Sequence, residues 1–463
     1  MAIIERRERT PGFKLGLAIA IGMLLAIPIF SVWFLVYDRQ SQANEARASI
    51  AAGWGGPQAL AGPMLVIPYR ATASETVVEG GQSVTRSRDV LRELTLAPET
   101  ATIDSTIRPE LRKRAIYEAV VYQSQVSGSA RFALPPDIAR GGIDPARLEL
   151  GRAELRFAIS DPRGLGPNPR VVIDGQAARL QPGGGSSGGR GFFAFVDASG
   201  LPGQPIAVDF SFALRGNESF SLLPMAGDTR WTVKSSWPHP SFGGAFLPSA
   251  RQVGEQGFEA NYRIGNLALG RSLATLADAG TSIGVERVAP GRAAYSNEPA
   301  GDSVQAAQVS LIQPVDPYSQ VDRAAKYGFL FIGFTFLALL MFDVVGGVRV
   351  APVEYLLMGA ALVLFFVLLL AFAEIIGFTP AYLLAAAAIA GLNTAYSAAV
   401  LKSWRRAAFI GGLLVGLYAV LYILLSLEAY SLLIGSVMTF AALAGVMYAT
   451  RRIDWSATTK VTE

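Results

Sequence analysis

A single histidine and the absence of cysteine bound the chemistry open to this 463-residue chain. Without cysteine there is no disulfide, no thiolate metal site and no cysteine nucleophile. A Ser-His-Asp triad would have to use His239, and Ser241 stands too close to it in sequence to be a separately presented nucleophile. A zinc site needs several histidines, or carboxylates with one histidine, and no such spacing is present. Asp302 and Asp316 fall in loop-like stretches without an apolar pocket around them. Gly183-Gly184-Gly185-Ser186-Ser187-Gly188-Gly189-Arg190-Gly191 resembles a phosphate cradle but lacks the Gly-Lys-Ser/Thr ending of a P-loop. A flexible hairpin loop is expected there. These residues predict no catalytic group, no metal and no cofactor.

The stretch that stands out is Trp237-Pro238-His239-Pro240-Ser241-Phe242-Gly243-Gly244-Ala245-Phe246-Leu247-Pro248. Its prolines forbid a helix and make a poor strand, and they stiffen the backbone while removing donors. Two readings stand side by side. One is a rigid hydrophobic plug that closes a β-sandwich or seats it on a helix bundle. The other is a recognition surface, because aromatic side chains on a stiff loop bind at low entropic cost.

These residues must be positioned by a chain with six apolar stretches, arranged one and then five. Helices are expected at about 15–37, 328–346, 354–373, 379–400, 407–426 and 430–449. Each is near the ~20 residues that cross about 30 Å of hydrocarbon. The first is preceded by Arg6, Arg7, Arg9 and Lys14, as a signal peptide would be. Its apolar run is too long for one, and Tyr37-Asp38-Arg39-Gln40 is no cleavage site. Ala46-Arg47-Ala48, further on, is the one dissenting signal. A retained anchor is expected. With the N-terminus in the cytoplasm, Arg349, Lys402, Arg405, Arg406, Arg451 and Arg452 all fall inside, and the short outer loops near Glu374 and Glu428 carry no Lys or Arg. Arg323 and Lys326 are the exception on the outer side. Trp33, Trp404 and Trp455 fall at expected helix ends, where an amphipathic ring suits the headgroup zone. The helix centres lack ionisable groups, and two-half transporter symmetry is absent.

Residues 38–325 read as mostly β. Segments 64–69, 88–96, 112–126, 147–159, 171–173, 192–196, 206–214, 229–235 and 258–264 cluster or alternate β-branched and aromatic residues. Ala153-Glu154-Leu155-Arg156-Phe157-Ala158-Ile159 alternates in this way, which predicts one wet face and one packed face. Residues 41–52, rich in Ala, Gln, Glu and Arg, should extend helix one outward until Gly53-Trp54-Gly55-Gly56-Pro57 stops it.

The chain resembles the CreD family of bacterial inner-membrane proteins over nearly its whole length. The likeness rests on Gly56-Pro57-Gln58 with Gly62-Pro63, on Trp237-Pro238-His239-Pro240-Ser241-Phe242 with Phe246-Leu247-Pro248, and on Asp322-Arg323-Ala324-Ala325-Lys326-Tyr327. Tyr355-Leu356-Leu357, Glu374 with Gly377-Phe378, and Arg452-Ile453-Asp454-Trp455 continue it. The Gly183–Gly191 insert looks particular to this chain. The resemblance implies a part in envelope integrity, a link to a two-component regulatory system, and altered colicin or β-lactam responses. It implies no biochemical activity and carries over no catalytic residue. On a helix, Asp322 and Lys326 are four apart and would pair, with Tyr327 at the interface.

The expected architecture is a membrane α-helical bundle of six transmembrane helices. A large all-β, sandwich-like periplasmic domain, residues 38–325, is inserted between helices one and two, and residues 1–14 and 450–463 are cytoplasmic. The expected function is non-enzymatic support of the cell envelope through partner binding by the periplasmic domain. The binding residues would be Trp237, Pro238, His239, Pro240, Ser241, Phe242, Phe246, Leu247 and Pro248, together with Asp322, Arg323, Lys326 and Tyr327. Partners are the lipid bilayer and an envelope protein or cell-wall component. A net charge of +4 with no Lys/Arg block argues against nucleic acid. The alternatives are a transporter or lipid-handling protein, with the bundle as the active part, and a periplasmic hydrolase that uses His239.

Overall fold

The computed structural model describes residues 11–79, 82–115, 117–185, 189–278, 305–312, 317–344, 350–426 and 431–451. The chain forms two compact units, Glu45–Pro314 and Met1–Asn44 with Val315–Glu463.

Helix α1, Pro11–Trp54, comes first and stops where the glycines at 53, 55 and 56 predict. The strands follow as β1 (Gln58–Glu79), β2 (Gln82–Leu96), β3 (Thr100–Arg114), β4 (Tyr117–Phe132), β5 (Ala153–Ile159), β6 (Arg170–Ile173), β7 (Gln176–Ala177) and β8 (Gln181–Pro182). Next are β9 (Gly191–Val196), β10 (Ile206–Asn217), β11 (Ser219–Leu223), β12 (Asp228–Ser235), β13 (Pro240–Gly244), β14 (Ala250–Gly254) and β15 (Gly257–Gly265). A short helix α2 (Asn266–Leu269) precedes β16 (Ala274–Asp278) and β17 (Ala307–Leu311). The described chain closes with α3 (Pro317–Lys326), α4 (Gly328–Val344), α5 (Pro352–Ile376), α6 (Phe378–Val400), α7 (Trp404–Ser426) and α8 (Ser431–Thr450).

The strands form two sheets. One runs β13-β17-β11-β1-β5-β9-β8, with β2 paired to β1 and β16 to β2; the other runs β14-β15-β12-β3-β4-β10-β6-β7. Alternation along the strands decides what faces inward. In β10, Ile206, Val208, Phe210, Phe212 and Leu214 are buried, with more exposed residues between them. Phe157 of β5 stacks on Phe192 at 4.9 Å in its own sheet and meets Phe210 of the other sheet at 5.1 Å. The two sheets therefore share one core.

Three expectations need correction. Residues 112–126 are not one strand, because β3 and β4 form a hairpin that reverses at Ala115, whose φ is 54°. That turn carries no Gly or Pro, the usual signal. The stretch 147–152 is not strand: 3₁₀ turns at Pro145–Arg147 and Leu150–Arg152 flank an isolated bridge from Leu148 to Tyr69, and the strand begins at Ala153. Glu154 and Arg156, read as the wet face of β5, are buried. Their strand is central and covered on both faces. The loop after β8 lies over them, and a Cβ on Gly185 would fall on the Glu154 carboxylate and the Arg156 guanidinium.

Five described helices are long and apolar enough to cross a membrane, by length and composition: Gly12–Trp54, Tyr318–Val344, Pro352–Ile376, Phe378–Val400 and Trp404–Ser426. The sixth expected span, 430–449, falls on helix α8, where Gly435–Gly445 is a shorter apolar stretch that does not by itself reach spanning length. The helical unit is packed by aromatic side chains. Tyr382 donates to the Tyr418 carbonyl at 2.6 Å, and Phe365 lies 4.6 Å from the Tyr418 ring. Gly359 lets α5 close on its neighbours, since a Cβ there would fall on Leu25 and Phe336.

Candidate functional site

The Trp237–Pro248 stretch crosses between sheets. It leaves β12 in one sheet, forms β13 at the edge of the other against β17, and returns to β14 in the first. The expectation of a poor strand is therefore corrected. Pro240 takes the first position of an edge strand, where its missing N–H breaks no ladder. The Trp237 indole donates to the Ile312 carbonyl at 2.9 Å, and its backbone N–H donates to Ser235 Oγ at 3.2 Å. Trp237, Phe242 and Phe246 pack on the shared core. Phe242 meets Phe258 edge-on at 5.7 Å, with the Arg251 guanidinium 5.7 Å above its ring. Pro238, Ser241 and Pro248 are half-buried.

The tip is different. His239 is exposed, and Leu247 is 68% exposed. The Ile312 backbone N–H donates to the His239 carbonyl, and no described residue hydrogen-bonds the imidazole. A hydrolase built on His239 would need a serine or carboxylate within reach of that imidazole.

The second set lies on α3. Lys326 and Asp322 pair at 2.6 Å, as their spacing predicts. Val321, Ala324 and Ala325 are buried, and Arg323 and Tyr327 are half-buried. Tyr318, one turn before Asp322, donates to Glu374 at 3.2 Å, and Arg39 of α1 reaches the same carboxylate at 3.9 Å. The sequence pointed at the Asp322–Tyr327 string and missed this ring of three helices beneath it.

Two further clusters escaped the sequence reading. The first surrounds the end of α1. Trp54 donates to the Tyr122 carbonyl at 3.1 Å, and its ring lies 3.8 Å from the Arg112 guanidinium carbon and 5.0 Å from that of Arg215. Both are within cation–π range. Arg114 bonds Ser49, and Arg47 donates to the Glu118 carbonyl at 3.3 Å. Gln58, buried, donates to the carbonyls of Asp161 and Arg215 at 3.1 and 2.8 Å. Asp161 accepts from the Gly56 N–H at 3.0 Å and from Arg163 at 2.8 Å. The second cluster is the buried ion network. Arg156 grips Glu93 through both terminal nitrogens, at 3.0 and 3.1 Å, and reaches Glu154 at 2.7 Å.

A family model described as inner membrane protein CreD matches residues 10–456. The chain belongs to the CreD family. Inner membrane protein CreD of Escherichia coli (strain K12) is 32% identical over 437 residues, which cover 94% of this chain and 91% of that protein.

The strings that carried the likeness now have positions. Gly56-Pro57-Gln58 forms the turn by which α1 passes into the sheet, and Asp322–Tyr327 runs from α3 to the start of α4. Trp455, with Arg452-Ile453-Asp454, lies outside the described residues, as do Glu428, Asp302 and Asp316. Gly183–Gly191 connects β8 to β9 as a hairpin loop, with residues 186–188 outside the description. A signal for Gln58 was available, since a polar residue opening an apolar run must be either exposed or bonded.

The α1 turn yields a pH prediction. Arg163, aided by the Gly56 and Arg163 N–H groups, holds the Asp161 carboxyl below its ordinary 3.8, at about 2. A depressed carboxyl stabilises the fold above its unfolded pKa, and that contribution is lost as pH falls through the folded value. An Asp161→Asn variant should therefore lose on the order of 1 kcal/mol near neutral pH, the shift being discounted for solvent screening. Acid titration monitored by tryptophan fluorescence should show that the gap from the parent closes between pH 4 and 2. A gap that persists to pH 2 would assign the loss to the turn's packing.

Proposed function

We propose that this chain is a six-span inner-membrane protein with both termini cytoplasmic. Its two-sheet unit stands in the periplasm as a β-sandwich and supports envelope integrity by binding an envelope partner, a protein or cell-wall component, without performing chemistry on it. Family membership and the five long apolar helices support the membrane part, with α8 as the sixth span. The Lys/Arg distribution in short loops supports the orientation.

The observation that carries the partner reading is the division within residues 237–248. Trp237, Phe242 and Phe246 are fixed on the core, while Leu247 and His239 face outward. An apolar side chain held on a stiff support loses little entropy on binding.

The test uses the exposed tip and spares the anchors. Cross-linking in native membranes, then purification of the full chain, should capture an envelope component. The His239→Ala/Leu247→Ala double variant should capture at least about tenfold less of it, the equivalent of one modest hot spot. Both proteins should reach the membrane in equal amount with the same Tm. Phe242→Ala should instead lower the Tm by removing a ring from Phe258 and the core. Capture of the same set by the double variant would make the segment a closure of the sheets and end the recognition reading.

A further inference from the structure

We propose that a groove among α1, α4 and α8 holds one acyl chain of an anionic phospholipid, with the head group against Lys14. The groove has a volume of about 580 Å³, within the 300–1,000 Å³ range of ligand sites. Leu15, Ile19 and Met23 of α1 line one wall, and Phe329, Phe336 and Leu340 of α4 line the other. Thr439 of α8 is the one polar side chain in its lining among the described residues. Its depth comes from residues without bulk. A Cβ on Gly22 or on Gly333 would meet nothing within 4 Å.

The occupant is specified by length and charge. From Leu15 to Ala26 a helix rises about 16 Å, roughly half of the 30 Å hydrocarbon layer and therefore one leaflet deep. A single lipid tail has that reach. At the Leu15 end, Lys14 donates to Asp343 Oδ1 at 2.7 Å and to the Asp343 carbonyl at 3.4 Å. Asp343 stands one turn beyond the lining residue Leu340. An ammonium has three N–H donors, so these contacts leave one for a phosphate oxygen. Asp343 is buried and fixes the direction of Lys14, which stays partly exposed. Arg6, Arg7 and Arg9 precede it in the sequence, and a basic segment flanking a span attracts anionic lipid. Charge at one end and hydrocarbon along the rest is the complement of one phospholipid.

The test places the full chain in bilayer nanodiscs with phosphatidylglycerol that carries a photoreactive group midway along one acyl chain. The label should concentrate on α1 around Met23 and on α4 around Gly333. Gly333→Leu, or Gly22→Leu if the first variant does not fold, should lower it at least about tenfold by filling the space. Gly391→Leu adds the same bulk at another glycine with open space around it and should leave labelling unchanged. Lys14→Gln should reduce labelling by this probe and not by a phosphatidylcholine probe of the same chain. Label spread evenly over the helices, or indifferent to both groove-filling variants, would mean ordinary boundary lipid and would overturn the proposal. Cross-links from Met23 to a second copy would overturn it as well, by giving the groove to another helix.

Discussion

Replacing Arg156 by methionine should destabilise the sheet unit by about 3–5 kcal/mol, because it strips the cation from two buried carboxylates. Arg156 is 6% exposed and holds Glu93 from β2 and Glu154 from its own strand. With the cation gone, two like charges stay close together in a region shielded from water, and neither has the guanidinium's fork of donors. Thermal unfolding of the full chain in detergent, followed by near-UV circular dichroism, measures the loss. The triple variant Arg156→Leu/Glu93→Leu/Glu154→Leu should recover most of the loss. A buried ion network replaced by apolar groups of similar volume is often neutral or stabilising. A triple variant as unstable as Arg156→Met would show that the network is needed for the loop around Gly185 and is not merely an electrostatic balance.

A Phe157→Ala variant should lose about 3–5 kcal/mol by opening a cavity where the two sheets meet. Phe157 is 1% exposed, and its ring lies 4.9 Å from Phe192, 5.1 Å from Phe210 and 5.9 Å from Phe212. The deletion removes edge and stacked contacts from both sheets at once, so little collapse can refill the space. Phe157→Leu keeps most of the volume and should lose less than about 1.5 kcal/mol. Urea denaturation of both variants provides the comparison. Equal losses would mean that the ring geometry, not the volume, holds the sheets together.

These two residues also mark where sequence reading succeeds and where it stops. Phe157 was legible as a packed position, because alternation with a period of two is a local property of a strand. Its neighbour Arg156 was read from the same alternation as water-facing, and that reading was wrong. Alternation says that two faces differ; it does not say that the second face is wet. That depends on whether the strand is central and on what lies over it. Here the cover is the glycine-rich loop, legible as a loop but not as a lid. The Trp237–Pro248 stretch shows the same limit. Its stiffness and aromatic content were readable, yet prolines argued against a strand. It becomes one by taking the sheet edge, a position that only the pairing with β17 defines.

The sequence alone determined what depends on neighbours along the chain. This covers the five long apolar helices, the long β region between the first and the rest, the stop of α1 at Trp54, and the Asp322–Lys326 pair. It also carried enough ordered motif to reach the family. Only the tertiary structure decided what depends on neighbours across it. It brought Glu93 to Arg156 from 63 residues away and Asp161 to Gly56 from 105. It set Trp54 between two arginines of different strands and opened a groove between helices at opposite ends of the chain. Hydrophobic periodicity is written residue by residue, whereas a buried charge or a cavity exists only once distant segments have met.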